Sequence, residues 1–395
     1  MSDSDIALVL AVVSVVGILY PHLLYPLLLL VVHRFRRDPV RHVKALHPAL
    51  TVVVAAYNEA DYIVDCLDSI VGNGYSASKI SIIVGDDGSE DDTAGIVLDW
   101  AGRHAGVDIV LHRCERSGKN GVLRRIIPLV RTDITVFTDA DTRLQAGALE
   151  ELMAPFADDR TGAVLGKNDR GGKAFAGDSA SEGEAMYRSM EDKVNVLESE
   201  VASTMASNGA LYAVRTALLR PLPDSRVADD WMNVLFAILA GRRAVFTPHA
   251  RAVEYRPNDM AMEMRRTVRT VASGFACVGH AKRLLSPTSG IVAWLLWSHR
   301  ILRWLSPVFL VMLFVATILA VDNVLLFGLL FYGQFVLYAL ALLGHAAERF
   351  GSRIPVIGAI QFFVAMNMCF LAGMYRSCTG RRLDAWKPAT ERTDG

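Results

Sequence analysis

From Ile6 to Val32 the chain carries no Lys, Arg, Asp or Glu. An apolar run of this length suffices for a helix to cross a hydrocarbon layer ~30 Å thick, which needs about 20 residues. Lipid leaves such a segment little choice but helix, since every backbone N–H and C=O must find its partner internally. Pro21 and Pro26 are expected to bend it. A cleaved secretory leader is the competing reading. Against it, Asp3 and Asp5 stand where a positive flank belongs, and no small-residue cleavage pattern follows. The run predicts an N-terminal membrane anchor over residues 1–33. Arg34, Arg36, Arg37, Arg41 and Lys44 follow it at once. By the positive-inside rule, the N-terminus then lies outside and the chain after the cluster in the cytoplasm.

Three further uncharged blocks, Trp304–Val321, Asn323–Ala347 and Ile354–Tyr375, are each long enough to span. They predict C-terminal transmembrane helices over 304–375, the first two separated by a tight turn at Asp322 and Asn323. Just before them, Leu284–Ser298 holds Trp294 and Trp297 and runs into His299, Arg300, Arg303 and Trp304. Aromatic and basic residues together predict an interfacial amphipathic helix over 284–303, with a buried helix of the soluble part as the alternative. In the polar tail, 376–395, Arg376, Arg381, Arg382 and Lys387 favour the cytoplasm, whereas three spans would leave that tail outside. Both placements stay open.

These blocks hold much of the chain's 52% hydrophobic content and its mean hydropathy of +0.30. The 41 basic and 41 acidic residues cancel, so there is no global basic signature for nucleic acid. Cys66, Cys114, Cys277, Cys369 and Cys378 are scattered, without a CxxC. They predict reduced thiols, with neither a disulfide framework nor a zinc site.

Residues 48–283 alternate in character. Leu50–Ala56, Ile80–Val84, Val107–Leu111 and Ile134–Phe137 are short β-branched runs, which suit parallel strands covered on both faces. Between them, Glu59–Val71 puts Ile63, Leu67, Ile70 and Val71 on one helical face, and Thr93–Arg103 follows the second strand. The pattern predicts a doubly wound α/β domain, whose ligand site lies at the carboxyl ends of its strands.

Those ends are acidic. The first strand closes on Ala56-Tyr57-Asn58-Glu59, the second on Gly85-Asp86-Asp87-Gly88-Ser89 and the fourth on Thr138-Asp139-Ala140-Asp141. Carboxylates that converge repel one another unless a cation with a preference for hard oxygen donors sits among them. The plainer alternatives are a turn at Asp86–Gly88 and a helix N-cap at Asp141. No G-x-G-x-x-G follows the first strand, and no P-loop motif occurs, so dinucleotide redox and P-loop chemistry lose their main support.

In this order, the motifs resemble family 2 glycosyltransferases of the GT-A, nucleotide-diphospho-sugar transferase (Rossmann-like) fold. More narrowly, they resemble membrane-embedded bacterial members related to hyaluronan, cellulose and poly-N-acetylglucosamine synthases. The resemblance implies that Ala56, Tyr57 and Glu59 line a nucleotide pocket, and that Asp87, with Asp86 beside it, contacts the nucleoside. It implies a nucleotide-side lysine at Lys119. It makes Asp139-Ala140-Asp141 the D-x-D motif holding Mg²⁺ or Mn²⁺, so Asp139 serves both donor and metal. Positions i and i+2 of an extended segment face one side, as shared ligands require. The segment Ser207–Arg215 matches the small-residue stretch before the acceptor, where Gly209 permits close approach.

Val227-Ala228-Asp229-Asp230-Trp231 stands where the family carries its general base. Asp230 is the matching residue, Asp229 the competitor one position away, and a helix N-cap the alternative for the pair. Processive members carry Q-x-x-R-W. Here Arg266 and Arg269 take its place without the tryptophan, while a literal Arg300-Ile301-Leu302-Arg303-Trp304 occurs later and reads as interfacial anchoring. Chain extension and single-sugar transfer both stay open. The resemblance implies an inverting transfer from a nucleotide-diphosphate sugar, UDP-linked by family habit, to a polysaccharide or lipid-linked acceptor at the membrane. A transporter with a sugar-nucleotide-binding domain is one alternative; a metal-dependent nucleotidyl- or phosphotransferase is another.

Overall fold

A computed structural model describes residues 3–171, 179–223, 226–255, 260–320, 325–349 and 355–379. The N-terminal run forms α1 (Asp3–Leu19) and α2 (Tyr25–Arg36), joined by a π-helical turn over Tyr20–Leu24. Pro21 has no N–H for the ladder, and the widened turn falls there. The helix nevertheless continues through both prolines, as a 32-residue segment from Asp5 to Arg36.

Among the described residues the middle of the chain builds an eight-stranded sheet. Its strands are β1 (Leu50–Ala56), β2 (Ile80–Asp86), β3 (Asp108–Arg113), β4 (Ile134–Asp139), β5 (Thr142–Leu144), β6 (Thr161–Gly171), β7 (Tyr212–Arg215) and β8 (Arg243–Tyr255). They lie in the order β3-β2-β1-β4-β7-β6-β8-β5. The first four, all expected from sequence, are mutually parallel. Register aligns their ends: Ala55 lies opposite Gly85 on one side and Asp139 on the other. Every residue of β1 is buried, as a strand covered on both faces requires. Beyond β4 the sheet turns mixed: β7 is antiparallel to β4 and to β6, and β8 runs parallel to β6.

Helices cover both faces. After β1 and β2 come α3 (Ile63–Val71) and α4 (Thr93–Arg103), then α5 (Lys119–Ile126), α6 (Ala148–Met153), α7 (Ser179–Val201), α8 (Asp229–Leu239) and α9 (Met260–His280). The side chains of β1 alternate between two cores. Leu50, Val52, Val54 and Ala56 join Ile63, Leu67 and Leu149 on one face. Val53 and Ala55 join Val122, Trp231 and Leu295 on the other. The second core also takes in Tyr25 and Leu29, so α2 packs directly on the α/β domain.

The stretch expected at the interface forms α10 (Ile291–Leu296), a π-helical turn over Trp297–Ile301, and α11 (Leu302–Trp304). Then come α12 (Ser306–Ala320), α13 (Leu325–Arg349) and α14 (Pro355–Thr379). Two described helices, Asp5–Arg36 and Leu325–Ala347, are long and apolar enough to cross a membrane. A third span results if Ile291–Trp304 and Ser306–Leu319, bent by 59°, count as one. The last apolar block lies along α9: a Cβ at Gly373 would stand 2.7 Å from Val271 Cβ. The turn at Asp322 and Asn323 and the tail residues Arg381, Arg382 and Lys387 lie outside the described residues.

Candidate active site

At the end of β1, Asn58 adopts a left-handed φ of 51°, and its side chain accepts from the Glu90 N–H at 2.7 Å. This sharp turn brings the first and second strand ends together. Glu59 is buried, with its backbone N–H on Thr93 Oγ1 at 2.9 Å. Asp86 accepts from Ser89 N at 3.1 Å and Ser89 Oγ at 2.5 Å, a turn-closing arrangement. Asp87 faces the other way. Fully buried, it accepts from the N–H groups of Ser117 at 2.7 Å and Gly118 at 2.9 Å and pairs with Arg116. A φ of +79° at Gly118 turns those amides onto one carboxylate, a conformation that favours glycine. The Arg116 guanidinium lies 3.2 Å above the Tyr57 ring. Tyr57, Arg116 and Asp87 thus form one packed unit beside the loop that carries Lys119.

Lys119 opens α5 and reaches across the sheet. Its Nζ lies 2.8 Å from Asp139 Oδ1 and 3.2 Å from Asp229 Oδ2. Burial opposes its charge, but Asp139 and Asp229 outweigh that and raise its pKa. Asp229 also accepts from the Tyr212 hydroxyl at 3.2 Å, and Asn233 donates to the same hydroxyl at 3.1 Å. Asp229 is therefore fully engaged in holding the site. Its neighbour Asp230 is half-buried on the cavity wall. Burial, followed by the charge of Asp229, pushes its carboxyl up to about 6, against the pull of Lys119. Both open α8 in the first turn after its N-cap, Ala228, and Asp230 also accepts from the Trp231 backbone N–H.

Asp139 ends β4. Asp141 is buried and leads into β5, not into a helix, which removes the N-cap reading. With Glu254 of β8 these two form a cluster whose ligand oxygens all lie within 4.8 Å of one another. Three hard carboxylates at that spacing fit a divalent cation. Glu254 is not among the residues expected from the sequence. It is 2% exposed, accepts from Asn168 Nδ2 at 2.9 Å and lies 3.3 Å from Arg266 Nη1. Arg266 of α9 is thereby tied to the carboxylate cluster. A Cβ at Gly209 would stand 3.5 Å from Asp139 Oδ2 and 3.9 Å from Lys119 Nζ, so glycine keeps the approach to both open.

A cavity of about 1080 Å³ gathers much of this set. Lys119, Asp139, Gly209, Asp229, Asp230, Arg266 and Arg269 are all on its wall. Ala56, Tyr57, Glu59, Asp86, Asp87 and Asp141 are not; Tyr57 and Asp87 connect to it through Arg116. Arg300, Arg303 and Trp304 line it as well. The pattern of charge and tryptophan suggested anchors at the lipid surface. Instead Arg303 and Trp304 are buried, Trp304 edge-on to Trp231 at 5.7 Å.

Residues 47–273, more than half of the 395, match the family described as glycosyltransferase like family 2. A mannosyltransferase from Pyrobaculum calidifontis, solved in complex with GDP-Man and Mn²⁺, superposes with a TM-score of 0.73 at 23% identity. The match covers 96% of this chain and 100% of that one, and is a likeness of fold. A beta-monoglucosyldiacylglycerol synthase from Trichormus variabilis is 25% identical over 118 residues, 30% of this chain and 25% of that protein. A hyaluronan synthase from Streptococcus pyogenes is 28% identical over 122 residues, 30% of this chain and 29% of the relative. The chain spans about a quarter of the length of these two relatives.

Proposed function

The chain belongs to the glycosyltransferase-like family 2, and from that premise we propose that it moves a sugar, with inversion, from a nucleotide-diphosphate sugar to an acceptor hydroxyl at the membrane. The carrying observation is the convergence of Lys119, Asp139, Asp229 and Asp230 on one cavity beside the Asp139–Asp141–Glu254 cluster. The proposed donor is UDP-linked, and the acceptor a polysaccharide or lipid-linked glycan. Within the family, the proposed functional kinship is with the membrane-embedded hyaluronan, cellulose and poly-N-acetylglucosamine synthases. The proposed setting is the inner membrane, multi-pass, with residues 48–283 as a cytoplasmic catalytic domain. The basic cluster from Arg34 to Lys44 supports that orientation.

Asp230 is the proposed general base. It is the carboxylate of the pair that Lys119 and Tyr212 do not hold, and its raised pKa suits taking a proton near neutrality. Asp229 fixes Lys119 and Tyr212 and so sets where the base stands. Arg266 and Arg269, on the same wall, would meet the donor's phosphates through forked, charge-assisted hydrogen bonds. Ala56, Tyr57, Glu59, Asp86 and Asp87 would shape the nucleoside end. Mg²⁺ or Mn²⁺ at Asp139, Asp141 and Glu254 would supply Lewis-acid neutralisation of the diphosphate.

The test is to incubate the purified full chain with a panel of sugar nucleotides and Mn²⁺. Release of nucleoside diphosphate and mass gained by lipid or polymer are then followed. One donor should be consumed. Asp230→Asn should lower transfer by about 10²–10⁴, the usual worth of a general base, while nucleotide binding persists. Transfer at the wild-type rate in that variant overturns the assignment of the base.

A further inference from the structure

Among the described residues the sheet ends on two strands that pair on one side only, β5 and β3. β5 is three residues long, and so short an edge templates little. β3 runs six residues, Asp108–Arg113. Edges of that length are ordinarily guarded by lysine, proline or a bulge. The centre of β3, Ile109-Val110-Leu111, has none of these, and Val110 is 50% exposed. We propose that this edge docks on β3 of a second copy of the chain, antiparallel, with the two-fold axis passing through Val110.

The register follows from the strand itself. Ile109 and Leu111 pack with the core that holds Leu50 and Ile63, so Val110 points to the opposite face, beside Ile83. Opposed residues of an antiparallel pair share a face, so the axis between two identical strands must pass through a residue. Through Leu111 it would set Ile109 against the partner's Arg113, and through Ile109 it would set Asp108 against the partner's Val110. Through Val110 it sets Asp108 against the partner's His112, Ile109 against the partner's Leu111, and Val110 against its own copy. An acid then meets an imidazole at both ends, with apolar side chains opposed between them. Ser81 Oγ donates to Asp108 Oδ2 at 2.6 Å and steadies that carboxylate at the edge. The backbone agrees. The Cys114 N–H donates to the Asp86 carbonyl at 2.7 Å. Backbone groups alternate sides along a strand, so Val110 and His112 turn theirs to β2 as well. Ile109 and Leu111 turn theirs outward, where the partner's Leu111 and Ile109 would meet them.

The membrane permits this pairing. Tyr25 and Leu29 of α2 and Leu295 of α10 pack on the face of the sheet that carries Val53 and Ile83. A two-fold axis normal to the sheet leaves that face on the same side in both copies. Their membrane helices therefore lie on one side of the joined sheet, as two chains anchored in one bilayer require.

The experiment uses the full chain with Cys378→Ser, which leaves buried native thiols only. On that background, Val110→Cys in membranes treated with copper phenanthroline should give a disulfide-linked dimer. Opposed Cα atoms of a non-hydrogen-bonded pair stand ~4.5 Å apart, within disulfide reach. Leu98→Cys, on α4 and 52% exposed, is the control for random collision. In detergent, light scattering should give a dimer for the wild type. Val110→Lys opposes two ammonium groups at the axis and should weaken association about ten-fold or more, leaving a monodisperse monomer. If Val110→Lys aggregates, His112→Asp, which sets acid against acid, becomes the deciding variant. Adding Asp108→His to it should restore the dimer. A monomeric wild type, equal cross-linking of Leu98→Cys, or an undiminished dimer in the deciding variant would each overturn the proposal.

Discussion

Two adjacent carboxylates on α8 face different fates because of their neighbours. Asp229 is held by Lys119 and Tyr212; Asp230 is left to burial and to the charge beside it, with its carboxyl pushed up to about 6. A base works only when deprotonated. The rate kcat/KM should therefore be flat above the neighbourhood of pH 6 and fall about ten-fold per unit below it. Asp229→Asn removes the charge that raises Asp230, so the acid limb should move to lower pH even as the maximal rate drops. A limb that stays in place would dissociate it from Asp230. The same scale separates what was legible from what was not. Asp139 and Asp141 are readable because two carboxylates at i and i+2 after a β-branched run carry their geometry in their spacing. Glu254 is a single acid ending a strand far along the chain, and only the pairing of β8 with β5 and β6 brings it to Asp141. Glu254→Gln keeps the shape and removes one charge. It should weaken Mn²⁺ binding by roughly 10–100-fold, measured by titration calorimetry, if Glu254 supports the ion as closely as its spacing suggests.

Among elements, the junction of α7, α2 and the α10–α11 segment stands out for its charge. His299, fully buried, has one ring nitrogen 2.6 Å from Glu198 and the other 2.6 Å from Glu191. Two carboxylate acceptors call for two N–H groups, which makes the ring an imidazolium. Glu198 also accepts from Tyr25 of α2 and from the Met205 N–H at 2.8 Å, and Glu191 holds Arg303. The network pins three elements at one point and fixes the wall that carries Arg300. Removing one partner of a buried pair leaves the other charge uncompensated and typically costs about 3–5 kcal/mol. His299→Ala should lower the unfolding temperature clearly. His299→Leu with Glu191→Gln and Glu198→Gln should recover much of the loss, since it removes the stranded charges. Failure of the triple variant to outlast the single one would show that packing, not charge, governs the junction. The mix of aromatic and basic residues predicts an interfacial helix here. It could not tell anchor from core, because the acids that bury these basic residues lie on α7, about a hundred positions earlier.

For the whole molecule, the membrane helices and the α/β domain share one core. Tyr25 and Leu29 of α2 belong to the same buried cluster as Val53 of β1, Trp231 of α8 and Leu295 of α10. The alternation of strands and helices and the uncharged blocks were both readable, since each is a local pattern. Their docking was not, because it rests on pairs such as Tyr25 with Glu198, 173 positions apart. Reading by blocks suggests a catalytic part, 48–283, that can be cut free. The shared core argues otherwise. Such a fragment would strip Tyr25, Leu29, Leu295 and Trp304 from Val122, Trp231 and Cys277, exposing apolar surface worth about 25 cal/mol per Å². It would also leave Glu198 and Glu191 without Tyr25, His299 and Arg303. The fragment is therefore expected to elute as aggregate, or to melt well below the full chain and bind UDP poorly in Mn²⁺. A fragment extended to residues 1–304 should regain monodispersity in detergent, because it restores α2 and the α10–α11 wall together. If 48–283 alone is monodisperse and binds UDP like the full chain, the membrane-side elements only tether the domain and contribute nothing to its core.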